Sequence, residues 1–492
     1  MTNLPSFDLI VIGGGPAGAT AALRGRELGA SVALIERGAM GGTCTNDGCV
    51  PTRVMARAAR LMSNAGQYAD YGMTVPRPEL DFRALLARTQ AIVYDIHEKK
   101  QLIAHLESSG AQVFAGVGEA RFVDPHTVQV PDGRRFRGEK FILAAGGRAR
   151  RLDFPGEELA LTHSDIWRLH DLPRSLAIVG GAATGCQLAT IFNAFAARVT
   201  VLDIAPRILT VEDDLVSQTM AETFARRGID IITGIGGIER IERTSGGLAL
   251  VYKSGSGTET LAAEAVVLST GWLGNLDGLN LAAVGVETNG RYVITDDTCR
   301  TSAPHIYAAG DIDGRMMLVQ SAGYEARIAV ENALLDGDAR REHQIVPHGG
   351  FTQPEYASVG LTEEQARQDR SVAVAVVSYA DMDRAVIDGR TEGFCKLIVD
   401  SETHRMVGAH VIGEQALEIV HIVAAGMAAS MWVEQLAELQ IAYPTFTAIL
   451  GLAARRIVAE LGVMPLTPEW RSLGRAPGEW EQRAGVLGQS AG

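Results

Sequence analysis

Short apolar runs ending in glycine alternate along this chain with longer, alanine-rich stretches. Asp8-Leu9-Ile10-Val11-Ile12 is the first run, and it leads into Gly13-Gly14-Gly15-Pro16-Ala17-Gly18. Its length and lack of polar interruption predict a buried strand; the alanine-rich segment after it predicts a helix, and Ser31 to Glu36 a second strand. The same unit recurs: Ser175 to Val179 runs into Gly180-Gly181-Ala182-Ala183-Thr184-Gly185, then a helix, then Arg198 to Asp203. Two further apolar runs, Ala265 to Leu268 before Gly271 and His305 to Ala309 before Gly310-Asp311, have the same strand-to-glycine character. The last quarter differs. Phe394 to Asp400 and Met406 to Ile412 predict a hairpin around Ser401 to Arg405, and helices are predicted over Ala416 to Ala429 and Phe446 to Leu461. Beyond Pro465 the chain, with Trp470 and Trp480, is expected either to be disordered or to dock on the surface.

Each strand–turn–helix–strand unit carries a physical signature. In G-x-G-x-x-G, Gly13 permits the tight turn, Gly15 lets backbone approach a pyrophosphate, and Gly18 lets helix and strand pack closely. The helix start then presents free N–H groups to phosphate. Glu36 stands where a carboxylate binds ribose hydroxyls, and Asp203 follows Gly180 and Gly185 at the same interval. The second copy has Ala182 at the middle glycine, a methyl group expected to hold the pyrophosphate slightly off. Two such units imply one tightly held flavin, FAD, and one exchangeable nicotinamide. Asp203 favours NAD by repelling a 2′-phosphate, while Arg207 keeps NADP possible.

Composition narrows the class. The 492 residues suffice for about three domains. A net charge of −13 without a basic cluster argues against nucleic acid or an anionic membrane as partner. The N-terminus lacks a cationic leader, and the apolar stretch from Ile419 to Val433 is too short to span a bilayer, so a soluble, cytoplasmic protein is expected. Of five cysteines, Cys44 and Cys49 form a close pair just after the first unit, a plausible redox-active disulfide beside an electron-pair carrier. Cys186, Cys299 and Cys395 have no partner at metal-ligand spacing and are expected to be buried small hydrophobes; no metal site is predicted.

Together, Gly13 to Gly18, the run Gly41-Gly42-Thr43-Cys44 to Cys49-Val50-Pro51, Ala308-Ala309-Gly310-Asp311, Phe351 to Pro354 and Ala357 to Thr362 resemble the pyridine nucleotide–disulfide oxidoreductases, the family of dihydrolipoyl dehydrogenase, glutathione reductase and mercuric reductase. The resemblance covers roughly residues 6 to 465. It implies an α/β fold: two Rossmann-like domains for FAD and NAD plus a C-terminal α+β dimerisation domain. The implied boundaries are 1–155 and 273–345 for the split FAD-binding domain, 156–272 for the NAD(P)-binding domain, 346–465 for dimerisation and 466–492 for the tail. It also implies a homodimer acting on a small-molecule electron acceptor, each active site completed by the partner's C-terminal domain. NADH would reduce the flavin, and the flavin the Cys44–Cys49 disulfide, with Cys49 the flavin-side sulfur and Cys44 the outer one. A helix starting near Cys49 is expected to lower that cysteine's thiolate pKa. Asp311 would hold the ribityl chain, and Thr43, Arg53, Gly146, Gln187, Gly271 and Leu318 are further cofactor-binding candidates.

The chain departs from the family pattern around this centre. Tyr443 stands where disulfide-reducing members carry the proton-relaying histidine, and Ala448 where they carry its glutamate. Arg53 and Gln187 replace a lysine–glutamate pair, so a cation is expected to face a neutral amide; Gln320 and Trp272 replace a histidine and an arginine. Tyr443 is similar to the tyrosine of mercuric reductase, but the C-terminal cysteine pair of those enzymes is missing. The expected function is therefore an FAD-dependent NAD(P)H oxidoreductase passing electrons through Cys44–Cys49 to a disulfide, thiol-bound or metal acceptor. The alternatives are a diaphorase- or transhydrogenase-like flavoenzyme and a non-enzymatic redox sensor.

Overall fold

A computed structural model describes residues 4–255, 257–343 and 345–463, so the predicted tail lies outside the described residues. Strand β1 (Ser6–Ile12) runs into helix α1 (Pro16–Glu27) and returns as β2 (Val32–Glu36), parallel to β1. Leu9, Ile10 and Val11 are fully buried, each contributing roughly 2 kcal/mol of transfer free energy. The sheet extends on one side to Gln112–Ala115 and on the other to Arg135–Leu143 and a short antiparallel meander. Its remaining strand, Ile306–Ala308, pairs in parallel with Arg135–Leu143 and comes from much later in the chain. Helix Val319–Leu335 then packs across α1.

Between these segments lies a second parallel sheet, ordered Asp230–Ile232, Arg198–Leu202, Ser175–Val179, Ala265–Leu268. A three-stranded antiparallel sheet follows the helix Asp214–Arg226. The chain enters and leaves this second unit through Gly147–Ala149 and Trp272–Gly274, which pair antiparallel with each other as a separate two-stranded sheet. The C-terminal part is a five-stranded antiparallel sheet that contains the predicted hairpin as Phe394–Asp400 and Met406–Gly413. Helices Ala416–Ala428 and Ala448–Leu461 bury their apolar faces on it.

The first sheet's carboxyl edge builds the site. After β2, Gly41 and Gly42 both take positive φ (96° and 59°), turning the chain into short helix α2 (Gly42–Asn46). Gly48 ends that turn where a Cβ would lie 2.9 Å from the carbonyl of Thr43, and helix α3 (Cys49–Asn64) starts at once. Helix α4 (Phe82–Lys100) folds back so that its last turn lies on α2.

Candidate active site

The two glycine turns are near duplicates in space. Gly13 and Gly180 have φ of 111° and 110°, and a Cβ on Gly18 or Gly185 would lie 1.8 Å from the carbonyl oxygen of Gly13 or Gly180. Glu36 accepts from the backbone N–H groups of Gly14 (2.6 Å) and Gly38 (2.7 Å); Asp203 accepts from Gly181 (2.6 Å) and Ala205 (2.8 Å). Each carboxylate is thereby oriented at the strand end and keeps lone pairs for a ribose. Gly15 and Ala182 share one extended conformation (φ −76° and −80°), so this position needs no glycine for the backbone itself. A Cβ at Gly15 would meet only the Gly42 Cα, at 3.7 Å, leaving the helix start open to a phosphate-bearing group. A cavity of about 50 Å³ beside Glu36, lined also by Gly13, Ala145, Asn275 and Leu279, continues this cradle. These features fit a dinucleotide.

Other candidates gather nearby. Gly146 (φ 68°) and Gly271 (φ 98°) turn the two crossover segments, Asn275 donating to the Gly146 carbonyl and Arg150 to that of Gly271. Thr43 accepts from Gly48 N–H at 2.7 Å, shaping the loop between the cysteines. Leu318 caps helix Val319–Leu335. Asp311 follows strand Ile306–Ala308; burial, aided by the charges of Glu325 and Asp313, pushes its carboxyl up to about 6. Glu325 holds that turn through Gly310 N–H (2.8 Å) and is paired with Arg341 and His343.

Cys44, half-buried in α2, and Cys49, exposed at the start of α3, are both free thiols. They share a hydrogen bond, and its effect on titration reverses the expected one. The Cys49 thiol stabilises a charge on Cys44, which burial opposes and Lys100 favours, bringing Cys44 down from 9.0 to about 7. Cys49, hydrogen-bonded to that thiolate and partly desolvated, is pushed far up. The dithiol thus places its first negative charge on Cys44, although Cys49 stands at the helix start.

Arg53 is a second correction. It does not face a neutral amide alone: its Nη1 lies 3.1 Å from the buried carboxylate of Glu355, and its guanidinium stacks 4.5 Å over the Phe351 ring. Gln187 accepts from the Phe351 backbone N–H at 3.0 Å, so Arg53 and Gln187 meet through Phe351. Burial pushes the Glu355 carboxyl up while Arg53 and Arg60 oppose it. Gln320 donates to the Pro347 carbonyl, and the Trp272 ring lies 4.7 Å from that of His163. Tyr443 is 76 % exposed and donates to Asp383 at 2.6 Å, a bond that raises its pKa. Cys186, Cys299 and Cys395 are fully buried, and burial raises each thiol.

The sequence reading missed three contributors. Lys100 Nζ lies 3.3 Å from Thr45 Oγ1, beside Cys44. Asp47, between the cysteines, accepts from Ser164 Oγ (2.5 Å), and its carbonyl accepts from Trp167 Nε1 (2.7 Å). Glu355 is the third. The remoteness of Lys100, Ser164 and Glu355 from the cysteine motif left no local signal.

Paired dinucleotide cradles and a vicinal dithiol define a two-nucleotide thiol–disulfide flavoenzyme. Family models agree: the pyridine nucleotide-disulphide oxidoreductase model matches residues 7–326, and the dimerisation-domain model of that family matches residues 346–454. The chain belongs to the pyridine nucleotide-disulphide oxidoreductases. It is 34 % identical over 425 residues to a dihydrolipoyl dehydrogenase of Chlorobaculum tepidum (85 % of this chain, 90 % of the relative). Over 459 residues it is 31 % identical to a mercuric reductase of Lysinibacillus sphaericus (92 % and 83 %). Among solved structures, the HOCl-induced flavoprotein disulfide reductase RclA from Escherichia coli superposes with a TM-score of 0.81 at 27 % identity, covering 91 % of this chain and 99 % of that one. The chain is accordingly an FAD-dependent NAD(P)H oxidoreductase working through a redox disulfide, with a dimerisation domain. Among the described residues no helix is long and apolar enough to cross a membrane, and no three acidic, histidine or cysteine side chains gather as a metal site.

Proposed function

We propose that Cys44 and Cys49 are the redox pair and that they reduce acceptors whose leaving group departs without a proton: disulfides of acidic thiols, or a thiolate-bound metal ion. The exposed Tyr443, its hydroxyl bound to Asp383 where a proton-relaying histidine would stand, carries this reading. Bound FAD supplies the two-electron link between the nicotinamide and the cysteines. In this reading Gly13, Gly15, Gly18, Glu36 and Asp311 would hold it, and Gly180, Gly185 and Asp203 would hold the nicotinamide nucleotide. Cys44 thiolate attacks one acceptor sulfur, forming a mixed disulfide and expelling the other half as thiolate. Cys49 then attacks the Cys44 sulfur, closing Cys44–Cys49 and expelling the second half, also as thiolate, while the Cys49 proton passes to water, so two electrons pass to the acceptor. Lower leaving-group pKa speeds such exchange.

Tyr443, reaching the site from a second copy of the chain in a homodimer, is protonated at neutral pH as any phenol is, and its bond to Asp383 raises its pKa further. Its one O–H is directed to Asp383, so it does not take up and release protons near neutral pH as a histidine does. The mercuric reductase relative and a solved Cu(II) complex of RclA are in keeping with metal-handling acceptors. NADH is the preferred donor in this reading: Arg207 is spent on the carbonyls of Leu209, Thr210 and Glu212 and on Asp214 (2.7 Å), away from any 2′-phosphate.

The test is an acceptor panel with NADH: lipoamide, glutathione disulfide, a dipyridyl disulfide, thiol-complexed Hg(II) and Cu(II), and a quinone. The wild type is expected to favour the dipyridyl disulfide and the metals, and Tyr443→His with Ala448→Glu to gain lipoamide activity. Full quinone turnover by Cys44→Ser, with no disulfide or metal reduced by the wild type, would establish the diaphorase alternative instead.

A further inference from the structure

We propose that Lys100 selects the acceptor by charge, favouring anionic disulfides or anionic thiolate complexes at Cys44. The proposal rests on Cys44 being the exchanging sulfur. Lys100 is the last residue of α4, exposed, with its ammonium anchored 3.3 Å from the hydroxyl of Thr45, the neighbour of Cys44 in α2. The same turn of α4 is fastened to α2 a second time, by His97 Nε2 at 2.8 Å from Asn46 Oδ1. The helix end that carries the ammonium is therefore fixed on α2, and the ammonium itself is tied to the residue next to Cys44.

The groups acting on Cys44 from the elements around it are Cys49 of α3, Lys100 of α4 and Asp311. Asp47, within the loop, turns its carboxylate to Ser164, and Asp311 is half-protonated near pH 6. Lys100 is the cation among them. In a chain of net charge −13, an anion approaching the surface is repelled on average, and a single placed ammonium gives it a local path. A cationic acceptor meets the opposite bias.

At roughly 6 Å across water, each unit of acceptor charge contributes about a threefold factor. Holoenzyme carrying Lys100→Met should therefore lose the ratio of kcat/KM for a dianionic nitrobenzoate disulfide over an uncharged dipyridyl disulfide by about tenfold, while both absolute values fall. Lys100→Arg should keep the ratio. A second readout needs no turnover: alkylation of the NADH-reduced enzyme by iodoacetate relative to iodoacetamide should fall about threefold in Lys100→Met, and the difference should collapse near 1 M salt. Ratios unchanged in Lys100→Met, or equally lowered in Lys100→Arg, would overturn the role of charge. If neither disulfide is turned over yet the alkylation ratio shifts as stated, the acceptor class fails while the charge selection at Lys100 stands.

Discussion

Removing the Cys49 thiol offers the sharpest test of how this pair works. Cys44 falls from an ordinary 9.0 to about 7 chiefly because Cys49 donates to it, with Lys100 helping and burial and Asp311 opposing. At pH 7 about half of Cys44 is then thiolate, against about one per cent for a thiol at 9.0. In Cys49→Ala the thiolate fraction should drop up to roughly fiftyfold. A more basic thiolate is also more nucleophilic, by about eightfold for this hundredfold change in basicity with a Brønsted slope near 0.45. The net loss in alkylation rate at pH 7 is thus about sixfold, and the two pH profiles should cross a little above pH 8. The assay is anaerobic alkylation of NADH-reduced enzyme by iodoacetamide, with the labelled cysteine located by mass spectrometry. A wild-type inflection above pH 8.5, or the same inflection in wild type and Cys49→Ala, would refute the shared-proton account.

Three further outcomes are expected. Gly18→Ala, whose Cβ would collide with the Gly13 carbonyl, should abolish folding of the first unit, whereas Gly15→Ala should fold and lose only FAD retention, read by circular dichroism and flavin absorbance. Lys396→Met should lower unfolding free energy by about 3 kcal/mol, since buried Asp213 (2.9 Å) would lose its cation, while Glu363 keeps its pair with Arg367 (2.8 Å). Burial opposes the Asp213 charge but Lys396 outweighs it, so its folded pKa is depressed; its stabilisation is present above its ordinary 3.8 and is lost as pH falls below that value, which acid titration of denaturant midpoints would show as absent from the variant. Asp203→Ser should raise NADPH over NADH use in steady-state kinetics, whereas Arg207→Met should lower the melting temperature with little change in that ratio, because its contacts lie within its own loop.

Much of this molecule is legible in one dimension because its determinants are local. A strand that must turn within two residues needs glycine at φ near 110°, and a helix start that must approach a strand needs glycine five residues on. Gly13, Gly18, Gly180 and Gly185 follow from those constraints, and the acids Glu36 and Asp203 follow from strand length. The C-terminal hairpin and helices were readable from periods of apolar residues alone. The cysteine pair declared its chemistry through its neighbours in the chain. Three-dimensional packing decided the rest. Which sulfur carries the first charge depends on α4 laying Lys100 against α2 and on the hydrogen bond between the thiols. Arg53 found Glu355, 302 residues away in the chain, only through the folding of the C-terminal sheet against the first unit, and Arg207 turned to its own loop. Charges and hydrogen bonds act across a few ångströms of space, whereas residue patterns record only neighbours along the chain.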